Sequence, residues 1–499
     1  MRTIKIFDTT MRDGEQTPRV SMNKEDKIAI AKHLEAMGVD VIEAGFAIAS
    51  EGDFEAVKAV AEAVEKPIVC SLARAVKGDI ERAAEALKNA KHPRIHTFIA
   101  TSDIHLEHKL KISREECLQR AVEMVAYAKT FVDDVEFSCE DATRSDWDFL
   151  VEVYSAVIEA GATVINVPDT VGFTLPQEYF DLISYLKKNV RGVEKVDISL
   201  HGHNDLGMAT ANALSGVLAG ATQIEVAMNG LGERAGNTSL EEVVMALDTR
   251  QDFYQAKTNI VTEKIYETAK LVSAISGIEI TPVKAITGAN CFLHESGIHQ
   301  DGFLKARQTY EIMDPARIGI PPNDGLVLGK HSGRSAFRHF VHTHGYDLDD
   351  ARLDAVFAEF KKLTDRKKYI TIEDISGLIA KQDVPFDDYH LISYSAQNDS
   401  AGKVSVTVTM SREGRERTAT ASGNGQVDAA FNAINQMVGA ALDIEDYQIN
   451  AVSSHSNALG EARIRMRHGD EVINTSGLDK DIIFASMMAY VQGINRFGL

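Results

Sequence analysis

Residues 196–229 read VDISLHGHNDLGMATANALSGVLAGATQIEVAMN, and this stretch holds the repeating unit of the first half of the chain. VDISLHGH alternates apolar and polar residues with the period of two expected of a β-strand, and TQIEVAMN reads as the next strand. The apolar run between them closes on Gly220, where a residue with left-handed dihedrals commonly ends a helix. Strand, helix and strand in immediate succession form a parallel crossover unit.

The same alternation extends back to the N-terminus. IKIFDTT, VDVIEAGF, PIVCSLA, RIHTFIA, DVEFSCE and TVINVPDT are strand candidates. Between them lie helix-period runs such as NKEDKIAIAKHLEAMG, FEAVKAVAEAVEK, DIERAAEALKNA, REECLQRAVEMVAYAKTF and LPQEYFDLISYLKKN, with Gly38, Gly161 and Gly192 following helical runs. Eight strands, each followed by a helix, predict a (β/α)8 TIM barrel over residues 1–275. A doubly wound open sheet is the rival, but no glycine-rich phosphate turn follows the first strand.

A barrel of this kind carries its chemistry at the C-terminal ends of its strands. The polar clusters DTTMRDGEQ, EAGF, SCED, PDTVG, HGHND and NGLGERAGN all fall at such ends. Within HGHND, His201 and His203 share one strand face, an arrangement that suits a divalent cation. Asp13 lies just past strand one, and Asn237 follows strand eight, which neighbours strand one in a closed barrel. Two imidazoles, a carboxylate and an amide oxygen suit Mn²⁺, Zn²⁺ or Mg²⁺, and ligand type alone does not choose among them.

Past the barrel the character changes. Residues 276–330 form a Gly-rich linker subdomain holding His294 and His299, and residues 331–388 read as mainly helical. From 389 to 499 there is a weak internal repeat: KVSVTVTM…TATASGNGQVDAAFNAINQMV resembles EARIRMRH…INTSGLDKDIIFASMMAYVQGI. Each copy runs strands, Ser-Gly, then an acidic residue (Asp428, Asp481) opening an apolar-faced helix. Duplicated ββα-type units predict a small α+β domain with a binding or regulatory role.

The formal charge of -20 argues against nucleic acid or an anionic membrane as a partner, because both would repel it. No apolar run approaches the roughly 20 residues of a membrane span, and the N-terminus has no signal-like apolar region. Cys70, Cys117, Cys139 and Cys291 are scattered with no CxxC pair, which points to reduced thiols and a cytoplasmic protein.

Taken together, DTTMRDGEQ, EAGF, HGHNDLGMA, NGLGERAGN and HESGIHQDG resemble the acyl-transferase family of 2-isopropylmalate, homocitrate and citramalate synthases, over essentially the whole chain. The resemblance is closest to the 2-isopropylmalate branch. It implies a Claisen-type condensation of acetyl-CoA with a 2-oxo acid, 3-methyl-2-oxobutanoate in that branch, followed by thioester hydrolysis. The implied cofactor is a divalent metal, Mn²⁺ first with Zn²⁺ or Mg²⁺ as alternatives, bound by Asp13, His201 and His203 and completed or supported by Asn237. Arg12 would stabilise the developing alkoxide; His96, Ser138 and Thr170 would contact the oxo acid; Gln16 would contact the coenzyme or the substrate. The resemblance implies as proton acceptor either His299, assisted by Tyr310 and supported by Glu140, or Glu140 itself. Leucine as feedback inhibitor of the C-terminal domain and a homodimer or homotetramer complete the expectation.

Quieter readings accompany several of these residues. Glu43 is expected to bind Arg12 structurally, and Glu136 to be structural. His96 also reads as a satisfied core histidine, and Thr170 as a helix cap. Citramalate or homocitrate synthesis uses the same chemistry, and a metal-dependent acyl-CoA lyase shares such a barrel.

Overall fold

The computed structural model describes residues 1–321, 325–367, 370–382, 388–398, 404–451, 460–469 and 471–499. The chain forms two compact units, Met1–Phe292 with Glu311–Asp324, and Leu293–Tyr310 with Gly325–Leu499.

In the first unit eight parallel strands close into a barrel: β1 Lys5–Asp8, β2 Val41–Gly45, β3 Ile68–Arg74, β4 Pro93–Ala100, β5 Asp134–Glu140, β6 Val164–Asp169, β7 Asp197–Gly202 and β8 Gln223–Val226. β8 pairs directly with β1, from Lys5 opposite Gln223 to Asp8 opposite Val226. Helices α1 Lys24–Met37, α2 Glu51–Ala63, α3 Lys77–Ala86, α4 Arg114–Lys129, α5 Trp147–Glu159, α6 Pro176–Asn189, α7 Ala209–Ala219 and α8 Leu240–Thr249 alternate with the strands, and α9 Ile265–Ser276 follows. The predicted (β/α)8 architecture is the observed one.

Local chemistry explains these elements. Every residue of β2 and β6 is buried, as parallel strands covered on both faces require. Asn23 and Asp26 form a reciprocal capping box at the start of α1, and Ser113 and Glu116 form another at α4. α1 ends on Gly38 at φ 86°, where a Cβ would stand 2.8 Å from the Asn259 carbonyl oxygen, so the position admits glycine alone.

The barrel interior carries a polar layer toward its strand starts. Arg94 on β4, 1% exposed, donates to Asp134 at 2.9 Å, Glu136 at 2.9 Å and Gln223 at 3.0 Å. Gln223 in turn donates to Ser199 at 2.8 Å. A charge this deep is tolerable because it is fully paired, and Glu136 is used in that pairing.

Three strand ends fall short of their predicted extent. β1 stops at Asp8 and β8 at Val226, so Thr9, Thr10 and Ala227–Asn229 belong to the rim. β7 stops at Gly202; His203 lies beyond it, in an isolated antiparallel bridge with Asn237.

The second unit contains α10 Gly297–Lys305, α11 Arg334–Thr343, α12 Asp350–Thr364 and α13 Ile372–Gln382. Phe337, Val356, Phe360 and Ile375 form the centre of its helical core. Two three-stranded antiparallel meanders follow: β9 His390–Asn398, β10 Val404–Arg412 and β11 Arg415–Gly423, leading to α14 Gln426–Val438; then β12 Asp443–Ala451, β13 Gly460–His468 and β14 Glu471–Asp479, leading to α15 Ile482–Arg496. Each copy is thus βββα rather than ββα. Phe431 of α14 stacks on Tyr490 of α15 at 4.2 Å, joining the two copies in one apolar core. Asp481 caps α15 through the amides of Ile483 and Phe484. Residues 322–324 of the turn-rich linker, and 383–387 beside the expected boundary at 388, lie outside the described residues. Among the described residues no helix is long and apolar enough to cross a membrane.

Candidate active site and metal centre

The loop after β1 turns sharply into a 3-10 turn at Gly14–Gln16 and buries Asp13 at its start. The Asp13 amide donates to Thr9 Oγ1 at 3.2 Å, and Oδ1 accepts from the Glu233 amide at 3.3 Å. Oδ2 is thereby aimed at two imidazoles, 3.7 Å from His201 Nε2 and 3.8 Å from His203 Nε2, which are 3.2 Å from each other. A triangle with those sides has a circumradius of about 2.1 Å, the length of a metal–nitrogen or metal–oxygen bond. The three donors fit a divalent cation of the Mn²⁺, Zn²⁺ or Mg²⁺ kind. All three are buried.

The protonation states suit that role. Burial alone would raise the Asp13 carboxyl, but the Arg12 guanidinium, then His201 and His203, draw it well below the usual carboxylate range. Burial, reinforced by His201, pushes the His203 imidazole down to about 4, so it is neutral and able to ligate.

His201 is held from behind. Its Nδ1 lies 2.7 Å from Glu225 Oε2 on β8, which fixes the ring proton on Nδ1 and turns Nε2 toward Asp13. Glu225 Oε1 accepts from Asn166 Nδ2 at 2.7 Å, and Asn166 Nδ2 also reaches Ser138 Oγ at 2.8 Å. Ser138 Oγ bonds His96 Nε2 at 2.6 Å, and His96 Nδ1 bonds Glu43 Oε1 at 2.8 Å. Glu43 Oε2 accepts from Thr9 Oγ1 at 2.7 Å and from Arg12 Nε at 2.6 Å, while Arg12 Nη1 bonds Asp13 Oδ2 at 2.6 Å. One unbroken chain of buried polar contacts thus runs from Asp13 through six strands to His201.

Residues 3–272 match the HMGL-like family, 286–368 the homocitrate synthase post-HMGL domain-like family, and 369–498 the LeuA allosteric (dimerisation) domain. The 2-isopropylmalate synthase of Pyrococcus furiosus is 52% identical, over 99% of this chain and 99% of its own. The chain belongs to the 2-isopropylmalate synthase family. The enzyme of that name from Dictyoglomus turgidum is 50% identical over 99% of this chain and 98% of its own. Among solved structures, the hydroxymethylglutaryl-CoA lyase of Pseudomonas aeruginosa aligns at 21% identity with a TM-score of 0.49, over 56% of this chain and 94% of that one. As a member of the 2-isopropylmalate synthase family the chain is an acyltransferase.

The residues expected from the sequence divide by place. Asp13, His201 and His203 converge, Arg12 bonds Asp13, and His96 and Ser138 belong to the chain of contacts behind them. Both ring nitrogens of His96 are engaged by protein groups. Asn237 is paired to His203 through the backbone, and its side-chain nitrogen and oxygen are both buried without a partner among the described residues. Such orphaned atoms cost about 1–3 kcal/mol each unless a ligand or water meets them, which fits a place beside a cation. Thr170, just past the end of β6, caps no helix; its Oγ1 accepts from the Asp141 amide at 2.9 Å. Glu140, closing β5, pairs with Lys109. Gln16 is exposed in its turn. His299 and Tyr310 belong to the second unit, where their rings stack at 4.3 Å on an exposed surface.

Glu225 and Asn166 are absent from the sequence-derived set. Two other groupings, Glu43–Cys70–His96 and His96–Glu136–Glu225, also bring ligand-type atoms close together among the described residues. Neither suits a cation: His96 has no free nitrogen, and burial raises the Cys70 thiol well above its ordinary value.

Proposed function

We propose that this member of the 2-isopropylmalate synthase family condenses acetyl-CoA with 3-methyl-2-oxobutanoate and hydrolyses the resulting thioester, releasing 2-isopropylmalate and free coenzyme A as a committed step toward leucine. The observation that carries the reading is the convergence of Asp13 Oδ2, His201 Nε2 and His203 Nε2 on one point. These residues, with Asn237 beside them, would hold a divalent cation, with Mn²⁺ first and Zn²⁺ or Mg²⁺ as alternatives. When bound, the cation supplies Lewis-acid polarisation of the oxo acid's carbonyl.

The chain's own groups do the rest. Arg12 has Nε and Nη1 fixed by Glu43 and Asp13, and its Nη2 has no partner among the described residues. That nitrogen is available to a developing alkoxide, and a charge held in place beforehand stabilises it with little reorganisation. Thr170, Ser138 and His96 would orient the oxo acid. His299 is the base for the acetyl methyl, assisted by Tyr310, with Glu140 in support. The division is a catalytic barrel at 1–275, a linker subdomain at 276–330, a helical subdomain at 331–388 and a regulatory domain at 389–499. The last binds leucine, in a homodimer or homotetramer. The four unpaired cysteines support a cytoplasmic setting.

Free-thiol release measured with 3-methyl-2-oxobutanoate, pyruvate and 2-oxoglutarate, each with and without chelator, tests this reading. The expected result is fastest release with the first acid and loss of release with chelator. Preference for pyruvate or 2-oxoglutarate would reassign the substrate, and chelator-resistant turnover would rule the cation out of the reaction.

A further inference from the structure

A second cluster of titratable side chains sits at the same end of the barrel. Glu140 closes β5, and its register partner Ala100 closes β4. Past β4 the chain makes a short helical turn at Asp103–His105 and then a π-helical turn at Leu106–Leu110, which Lys111 ends at φ 57°. π turns are frequent at functional sites because they re-aim side chains that an α-helix would point elsewhere. Here His105 and Lys109 both reach Glu140. Lys109 Nζ bonds Oε1, and His105 Nε2 lies 3.9 Å from the same oxygen. Glu140 Oε2 has no partner among the described residues.

Asp141 fixes the imidazole. It is fully buried and held in the left-handed region at φ 64°, a conformation that a non-glycine residue keeps only when its surroundings enforce it. The enforcing contacts are its amide to Thr170 Oγ1 at 2.9 Å and its Oδ1 to Arg144 Nε at 2.9 Å. Asp141 Oδ2 then lies 2.9 Å from His105 Nδ1, and Ser102 Oγ lies 2.8 Å from the same nitrogen. A carboxylate accepts and does not donate, so Nδ1 carries the ring proton and the lone pair of Nε2 faces Glu140. A carboxylate holding one tautomer in this way is what makes an imidazole a usable proton acceptor. The His105 side chain is 19% exposed, which opens a path to water.

We propose that Asp141 and His105 form a positioning dyad for Glu140 and carry the proton that Glu140 takes up out to solvent. This rests on the thioester-hydrolysing reading above. In that step a water O–H bond breaks, the water oxygen bonds the thioester carbonyl carbon, and the proton passes to Glu140 and on to His105 Nε2. The carbon–sulfur bond then breaks with its electron pair on sulfur; the thiolate takes a proton from solvent, and His105 returns one to it. One water is consumed and one acid and one thiol form, with no oxidant or reductant. Separation of 3.9 Å suits a contact that tightens only with substrate present. The charged groups facing His105 are Glu140, Asp141 and Lys109, with Arg144 behind Asp141.

His105→Ala, made in the full-length enzyme, tests this. The expected result is a kcat lowered about tenfold or more, KM for both substrates within twofold, and Mn²⁺ affinity unchanged. Added imidazole is expected to restore kcat, more strongly as pH rises through roughly 6.5–7, where free imidazole becomes neutral. A missing side chain with only a structural role would show no such rescue. Asp141→Asn is the second variant, since Asn tolerates the left-handed region; it is expected to lower kcat by releasing the tautomer, and it decides the matter if His105→Ala does not fold. An unchanged kcat in either variant, or a loss in folded His105→Ala that imidazole does not restore, overturns the dyad while the functional reading stands. A wild-type enzyme that releases no thiol with any 2-oxo acid overturns both.

Discussion

Glu225 Oε2 lies 2.7 Å from His201 Nδ1 inside the barrel, and this contact decides which imidazole nitrogen faces Asp13. Burial alone would favour a neutral His201 free in either tautomer; the carboxylate overrides that and raises the imidazole's affinity for a proton, and the same added basicity would favour a bound cation. Glu225→Gln keeps the shape and removes the charge. Cation affinity, read by Mn²⁺ electron paramagnetic resonance titration, is expected to fall about 10- to 100-fold. Unchanged affinity would make Glu225 a bystander.

His203→Ala removes one corner of the triangle without opening the apolar core, because the ring sits at the rim beyond β7. Turnover is expected to drop by about 10²–10³-fold or more, while the melting temperature moves by less than about 4 °C. Thermal melts and thiol-release rates measured together check both halves. Retained turnover would contradict the site.

Asp8 supplies a pH dependence of stability separate from the Asp13, His201 and His203 cluster. It is fully buried in β1, and burial, against hydrogen bonds from Thr10, raises its carboxyl from 3.8 to about 7. A carboxyl raised on folding contributes stability that is complete below the unfolded value near 3.8 and is lost as pH rises toward about 7. The loss amounts to about 4 kcal/mol at most. Asp8→Asn mimics the protonated form, with its amide able to donate to Thr10 Oγ1, 2.9 Å from Asp8 Oδ2. Urea unfolding at pH 4, 5.5 and 7 is expected to show the wild type losing ground to the variant across that range. Parallel profiles would refute the linkage.

Much of the fold and of the candidate cation site is legible in the amino-acid sequence itself. Gly38, Gly161 and Gly220 carry positive φ where helical runs close, whereas Gly192, also at positive φ, opens the 3-10 turn Val193–Lys195, and HGHND with DTTMRDGEQ holds the three donors Asp13, His201 and His203 that converge. The chain of contacts behind them is not legible there. Asn166 and Glu225 sit on different strands, and only the register across the barrel mouth brings them to Ser138 and His201. A lone acidic residue inside QIEV is the one available signal, since that strand has no solvent face to receive it. The first strand of each C-terminal copy escapes a reading by periodicity for another reason. Register shifts between Leu391 and Ser393, and between Ile444 and Asp446, break the period of two on which strand reading depends.

The C-terminal copies have their own apolar core, separate from that of the barrel. Removal of residues 389–499 is expected to abolish inhibition of thiol release by leucine. A truncated enzyme still inhibited by leucine would place the effector elsewhere.

Anomalous diffraction at the manganese edge, from crystals of the full chain grown with MnCl₂, tests the shared cation site most directly. A single strong peak is expected in the barrel, about 2.1 Å from each of Asp13 Oδ2, His201 Nε2 and His203 Nε2. A peak at Glu43 and His96, or no peak within bonding distance of those three atoms at saturating Mn²⁺, would contradict it.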